Sequence, residues 1–221
     1  VEGYISAEQQ AYAVTDGIVF AQFNATPSKT YYAEYTVASE VEARMLFGIT
    51  HSVKGDPERW LTAYTASDDL NGRDMITRDI DIADINDFDK WEQAGHYQYK
   101  QEKIAQRRDL YAGELAFPVK LATARIGDFF YIFVNDEYVC GYTNAYFADK
   151  DTVPGIFGKN IKKDAVLGDR VTHENKTANT VLKNFDWLTG DAAQNKFDEL
   201  TDHGTKIMSA FVPFDSFLES K

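Results

Sequence analysis

Three acidic side chains stand close together in the run Asp79-Ile80-Asp81-Ile82-Ala83-Asp84. Two carboxyls about 5–5.5 Å apart across a glycosidic bond can divide the work of nucleophile and acid/base. Read onward, Asp84, Asn86, Asp87 and Asp89 crowd the oxygen ligands that calcium prefers. The spacing fits no EF-hand, because the loop glycine and the distal Glu are missing. The plainer account is a strand with Ile80 and Ile82 inward and Asp79 and Asp81 outward, running into a solvated acidic loop. Motif specificity favours that account. Asp68-Asp69-Leu70-Asn71-Gly72 is a second acidic turn of the same kind.

Aromatic rings supply a different chemistry. A sugar presents a face of C–H groups that stacks on an aromatic ring, while its hydroxyls need amide, carboxylate or guanidinium partners. Trp60 and Tyr64 fall on one face of a strand spanning 59–67, and Tyr131 alternates with Phe129 and Phe133 against Phe130, Ile132 and Val134. Trp91, His96, Tyr97 and Tyr99 cluster in a region of weak periodicity. Each ring taken singly is better explained as core. Together they outline a glycan groove.

The elements that must position these residues are strands. Residues 117–142 contain three, split by Gly127-Asp128 and Asn135-Asp136-Glu137, which makes an antiparallel meander. Further alternating runs cover 17–23, 30–38, 44–53, 59–67, 75–85, 152–158 and 179–188. Lys54-Gly55-Asp56-Pro57 is an unambiguous turn. Ser6 to Gln10 reads as a helix start, and Lys100 to Tyr111 as a short polar helix or loop. A helix is expected from Gly190-Asp191, with Asp191 as N-cap, Ala193, Phe197 and Leu200 inward, and Gly204 at the stop. Residues 1–190 thus form a sandwich, and 191–221 a helical appendage or connector to a following domain.

Composition narrows the function classes. The 221 residues carry 35 Asp and Glu against 23 Lys and Arg, a net charge of −12. Such a chain repels nucleic acid and anionic membrane surfaces. No apolar run is long enough to span a bilayer. A single cysteine, Cys140, forms no internal disulfide and is expected as an inert thiol. Few bridges in a secreted protein fit a bacterial source. The start at Val1 leads us to expect an excised piece of something longer. His51, His96, His173 and His203 show no metal-ligand spacing.

The order of elements resembles the concanavalin A-like (laminin-G or legume-lectin type) jelly roll. Tyr31 to Val37, Leu121 to Asp128, Phe129 to Asn135, Val153 to Phe157 and Val181 to Phe185 carry the likeness. It implies two curved antiparallel sheets whose concave face or rim loops bind glycans, often with calcium. Asp79, Asp81 and Asp84 are similar to the Glu-x-Asp-x-x-Glu signature of laminarinase-type glycoside hydrolases of this fold. Both Glu positions are Asp here, one methylene short of a substrate placed for Glu.

The expectation is therefore an all-β, two-sheet antiparallel jelly-roll sandwich with a C-terminal helix. It would serve as a non-catalytic carbohydrate-binding module of a larger secreted or cell-surface bacterial protein. Its partners would be a polysaccharide or glycan and covalently linked neighbouring domains, with no nucleic acid and no membrane insertion. The alternatives are a structural or protein-interaction spacer and a glycoside hydrolase-like domain with a degenerate acidic strand. No cofactor is expected, with structural calcium on the acidic segment as the alternative.

Overall fold

The structure, a computed structural model, describes residues 4–6, 11–14, 18–39, 45–55, 59–66, 74–81, 98–106, 117–160 and 180–204. Two sheets stack face to face. The seven-stranded sheet has the order β1 (Tyr4–Ile5), β3 (Ile18–Phe23), β12 (Val153–Asn160), β5 (Met45–Ser52), β6 (Arg59–Ala66), β7 (Asp74–Asp81) and β8 (Gln98–Gln106). The six-stranded sheet runs β11 (Glu137–Thr143), β10 (Phe129–Val134), β9 (Val119–Ile126), β4 (Thr30–Ser39), β13 (Thr180–Thr189) and β2 (Ala11–Val14). Among the described strands, every pairing but the parallel β1–β3 contact is antiparallel. The expected two-sheet jelly roll is what the chain forms.

The meander follows from its turns. Ile126 pairs with Phe129 across Gly127-Asp128, and Gly127 takes φ 64°, which glycine adopts without a Cβ clash. Val134 pairs with Glu137 across Asn135-Asp136, both at positive φ (50° and 66°). That geometry matches the twist of the flanking strands.

The core between the sheets is built from alternate residues. Val19, Ala21 and Phe23 of β3, Phe47 and Ile49 of β5 and Leu61 of β6 face Ala33, Tyr35 and Val37 of β4 and Phe130 and Ile132 of β10. The Tyr35 hydroxyl reaches across the sandwich and donates to the Gly48 carbonyl at 2.7 Å.

A second core lies outside the six-stranded sheet. There helix α1 (Gly190–Thr201) buries Ala193, Phe197 and Leu200 against Tyr32, Ala122, Ala124 and Phe133, as its apolar spacing requires.

Two expectations give way. The N-cap is Thr189 rather than Asp191, and Asp191 sits in the first turn, where the helix dipole favours a carboxylate. The segment expected as a polar helix or loop is strand β8, and 107–111 lie outside the described residues. Helix-favouring Gln, Lys and Glu are overruled there by pairing with β7 at the edge of the sheet. Strands β1 and β2 flank the expected helix start at Ser6, and residues 7–10 lie outside the described set.

Candidate functional site

The outer face of the seven-stranded sheet can be read from register. Because Phe47, Ile49 and Leu61 enter the core, the alternate residues belong to the opposite face. One cross-strand row aligns Phe20, Phe157, Gly48, Tyr64, Ile76 and Lys103. The next aligns Gln22, Gly155, Thr50, Thr62, Arg78 and Gln101. Beyond it stand Trp60 and Ile80, paired in register. Two Gln, two Thr and one Arg position thus share one register row, flanked by aromatic positions. At the usual strand spacing the whole row is about 24 Å long, and its part on β6, β7 and β8 about 10 Å.

The β3–β12–β5 end of this face is closed. Phe20 and Phe157 are buried with ring centroids 4.9 Å apart. The Gln22 amide donates to Ser52 Oγ at 2.6 Å and to the Val53 carbonyl at 3.0 Å, and its oxygen accepts from the Gly55 amide. Thr50 is fully buried, and its Oγ1 has no hydrogen-bond partner among the described residues. It lies over Gly155, where a Cβ would come within 2.3 Å of it.

The expected site residues separate in space. Trp60 and Tyr64 share the outer set, as their spacing implied. Tyr131 is on the other sheet, half-buried under α1, 4.7 Å from Phe197 and 6.2 Å from Phe129. Its ring also lies over Gly141, where a Cβ would approach it to 3.0 Å. Burial raises its phenol pKa. Tyr99 falls at a register shift in β8. Trp91, His96, Tyr97, Asp84, Asn86, Asp87 and Asp89 lie outside the described residues, as does the acidic turn at 68–72.

Asp79 stands opposite buried Leu61, whereas Ile80 stands opposite Trp60. This reverses the expected orientation of the strand: Asp79 and Asp81 belong to the interior set, and Ile80 to the outer one. The β6–β7 pairing shows no shift that would turn the two aspartates onto the outer rows. Among the described residues no group of three His, Cys, Asp or Glu could hold a metal ion.

Sequence reading missed a polar network inside the sandwich. His51 is fully buried, with Nδ1 2.7 Å from Tyr31 Oη and Nε2 2.9 Å from Tyr142 Oη. Tyr31 Oη is also 3.0 Å from Thr152 Oγ1, which accepts from Arg125 Nη1 at 2.7 Å. A neutral ring satisfies both contacts, donating from one nitrogen to one tyrosine oxygen and accepting at the other nitrogen from the second tyrosine hydroxyl. Burial, and then the Arg125 charge, hold His51 well below the ordinary imidazole range, so it is neutral. Burial likewise pushes the Tyr31 phenol upward. With every member buried, the network ties the sheets together and offers no approach to a substrate.

This has a measurable consequence. Below about pH 6.5 the unfolded chain protonates this histidine and the native state does not, so stability falls with pH by up to about 1.4 kcal/mol per unit. Urea unfolding of the wild type and His51→Gln at pH 7.5, 6.5 and 5.5 should show that slope flattened in the variant. Parallel slopes would overturn the assignment.

No family model and no curated protein matches this chain. Solved structures do resemble it. The carbohydrate-binding module CBM66 from Bacillus subtilis shares 12% identity over 85% of this chain and 100% of that one, with a TM-score of 0.47. Chicken galectin 2 shares 9% over 80% and 100%, with a TM-score of 0.45. The GH43 protein BlXynB (K247S) from Bacillus licheniformis shares 11% over 81% of this chain and 32% of that one, with a TM-score of 0.45.

Proposed function

We propose that the outer face of the seven-stranded sheet binds a carbohydrate over β6, β7 and β8. The chain would act as a non-catalytic module of a larger secreted or cell-surface bacterial protein. The observation that supports this is the alignment of Thr62, Arg78 and Gln101 in one line, with Trp60 on one side and Tyr64 on the other. Hydroxyl, guanidinium and amide groups match sugar hydroxyls, and the aromatic positions match the C–H faces of the rings. The opposite assignment of Asp79 and Asp81 favours binding over hydrolysis.

A glycan array and affinity gels test the reading. Trp60→Ala and Tyr64→Ala should each weaken retention about tenfold, near 1.4 kcal/mol, with unchanged melting temperatures. Absence of retention on any polysaccharide would remove the reading and leave a structural spacer. The burial of Gln22, Thr50 and Phe157 on part of the same face is the observation that favours that second account. The reading frame that carries this chain tests the context: a catalytic domain or a cell-wall anchor is expected beside it. A frame with neither would refute the modular assignment.

A further inference from the structure

The register also sorts the charges of β6, β7 and β8 by face. On the interior set each cation meets an acid: Arg59 stands opposite Asp81, and Lys100 opposite Asp79. On the outer set the cations meet neutral residues. Arg78 stands between Thr62 and Gln101, and Lys103 opposite Ile76. These two positions are diagonal neighbours across one strand pair, roughly 7–8 Å apart. Because β8 ends the sheet, no further described strand sets an acid beside Lys103.

Elsewhere on the outer set the strands add Lys159, opposite Ile18 and Leu46, and one acid, Asp74, opposite Gln106. The whole chain carries a net charge of −12. A face with three cationic strand positions to one anionic position runs against that composition. Random placement of solubilising charge would put acids there in excess.

Resting on the carbohydrate reading above, we propose that the ligand of this face is an anionic polysaccharide. Arg78 and Lys103 meet its carboxylate or sulfate groups, and Thr62 and Gln101 its hydroxyls. A guanidinium fork fits either oxyanion with two parallel hydrogen bonds. The acidic remainder of the protein repels a polyanion at long range, so binding is short-ranged and weakened by salt.

Affinity electrophoresis through gels holding polygalacturonate, dextran sulfate or neutral laminarin tests the proposal, with single-stranded DNA as a further polyanion. Retention is expected on polygalacturonate or dextran sulfate, and whichever gel retains the protein identifies the oxyanion. Arg78→Gln should weaken it about tenfold, Lys103→Gln should add to that loss, and high salt should weaken it further. Should Arg78→Gln fail to fold, Arg78→Lys keeps the charge but not the fork, and a loss of several-fold is expected from it.

Retention on laminarin alone, indifferent to Arg78 and Lys103, would overturn this inference and leave the carbohydrate reading intact. Retention on none of the three would overturn both. Binding to DNA as strong as to either acidic polysaccharide would overturn the ligand class.

Discussion

Replacing Arg125 with methionine should lower the unfolding free energy by about 3–5 kcal/mol, the scale seen when one partner of a buried charged network is removed. For a chain of this size that is a fall in melting temperature of roughly 10 °C or more. The side chain is fully buried on the interior face of β9. Its Nε donates to the Gly127 carbonyl at 3.0 Å, Nη1 to the Lys150 carbonyl and Thr152 Oγ1 at 2.7 Å each, and Nη2 to the Phe147 carbonyl at 2.9 Å. The guanidinium carbon also lies 5.0 Å from the Phe130 ring centroid.

Four oxygens from two turns converge on one planar group, and Asp128 and Asp151 act on it only through space. Removing the fork takes this donor from the half-buried Gly127 and Lys150 carbonyls, each a desolvation penalty of about 1–3 kcal/mol, and leaves the Phe147 carbonyl only the Lys150 amide at 3.2 Å. A lysine ammonium has three donors on a single nitrogen and cannot reach four oxygens spread around the fork, so Arg125→Lys should lose most of what Arg125→Met loses. Amide exchange should also quicken across residues 144–152 in both variants. If Arg125→Lys melted with the wild type, the buried fork would not be what holds those turns.

The residues around Arg125 show what sequence could and could not convey. Alternation from Val119 to Tyr142 gives the meander directly, because glycine at 127 and Asn135-Asp136 mark turns whose backbone only such residues adopt readily. It also shows that Phe129, Tyr131 and Phe133 share a face. It does not show that a helix beginning at residue 190 covers that face, since the contact joins positions some sixty apart in the chain. Trp60 and Tyr64 were legible as a pair for the same local reason.

The line from Gln22 to Gln101 was not legible. Its members come from six different strands, and only hydrogen-bond register brings residues 22, 155, 50, 62, 78 and 101 into one row. A one-residue slip in any pairing would move a member to the other face. The side assigned to Asp79 was misread on those grounds. Local alternation states that Asp79 and Ile80 differ in face, and only the pairing with Leu61 states which is which.

Gly155 is where that register can be tested most sharply. An alanine in a strand ordinarily stabilises by roughly 0.5–1 kcal/mol over glycine. Here the added Cβ would stand 2.6 Å from the Ala21 carbonyl oxygen and 2.3 Å from Thr50 Oγ1. The first of these is backbone of the neighbouring strand β3, paired with β12 over Gly155 to Lys159, and cannot rotate away. Gly155→Ala should therefore cost about 2–4 kcal/mol, the upper range for overpacking a closed interior. Thr50→Val deletes a buried hydroxyl that has no partner among the described residues, and should leave stability unchanged or raise it by about 1 kcal/mol.

Combining Gly155→Ala with Thr50→Ala should recover part of the loss and no more. It clears the clash with the side chain and leaves the one with the carbonyl. Chemical denaturation of Gly155→Ala, Thr50→Ala and the double variant separates these terms as a double-mutant cycle. A Gly155→Ala protein as stable as the wild type would mean that β3 and β12 do not pair at this position, and the row built on that pairing would lose Gln22, its first member.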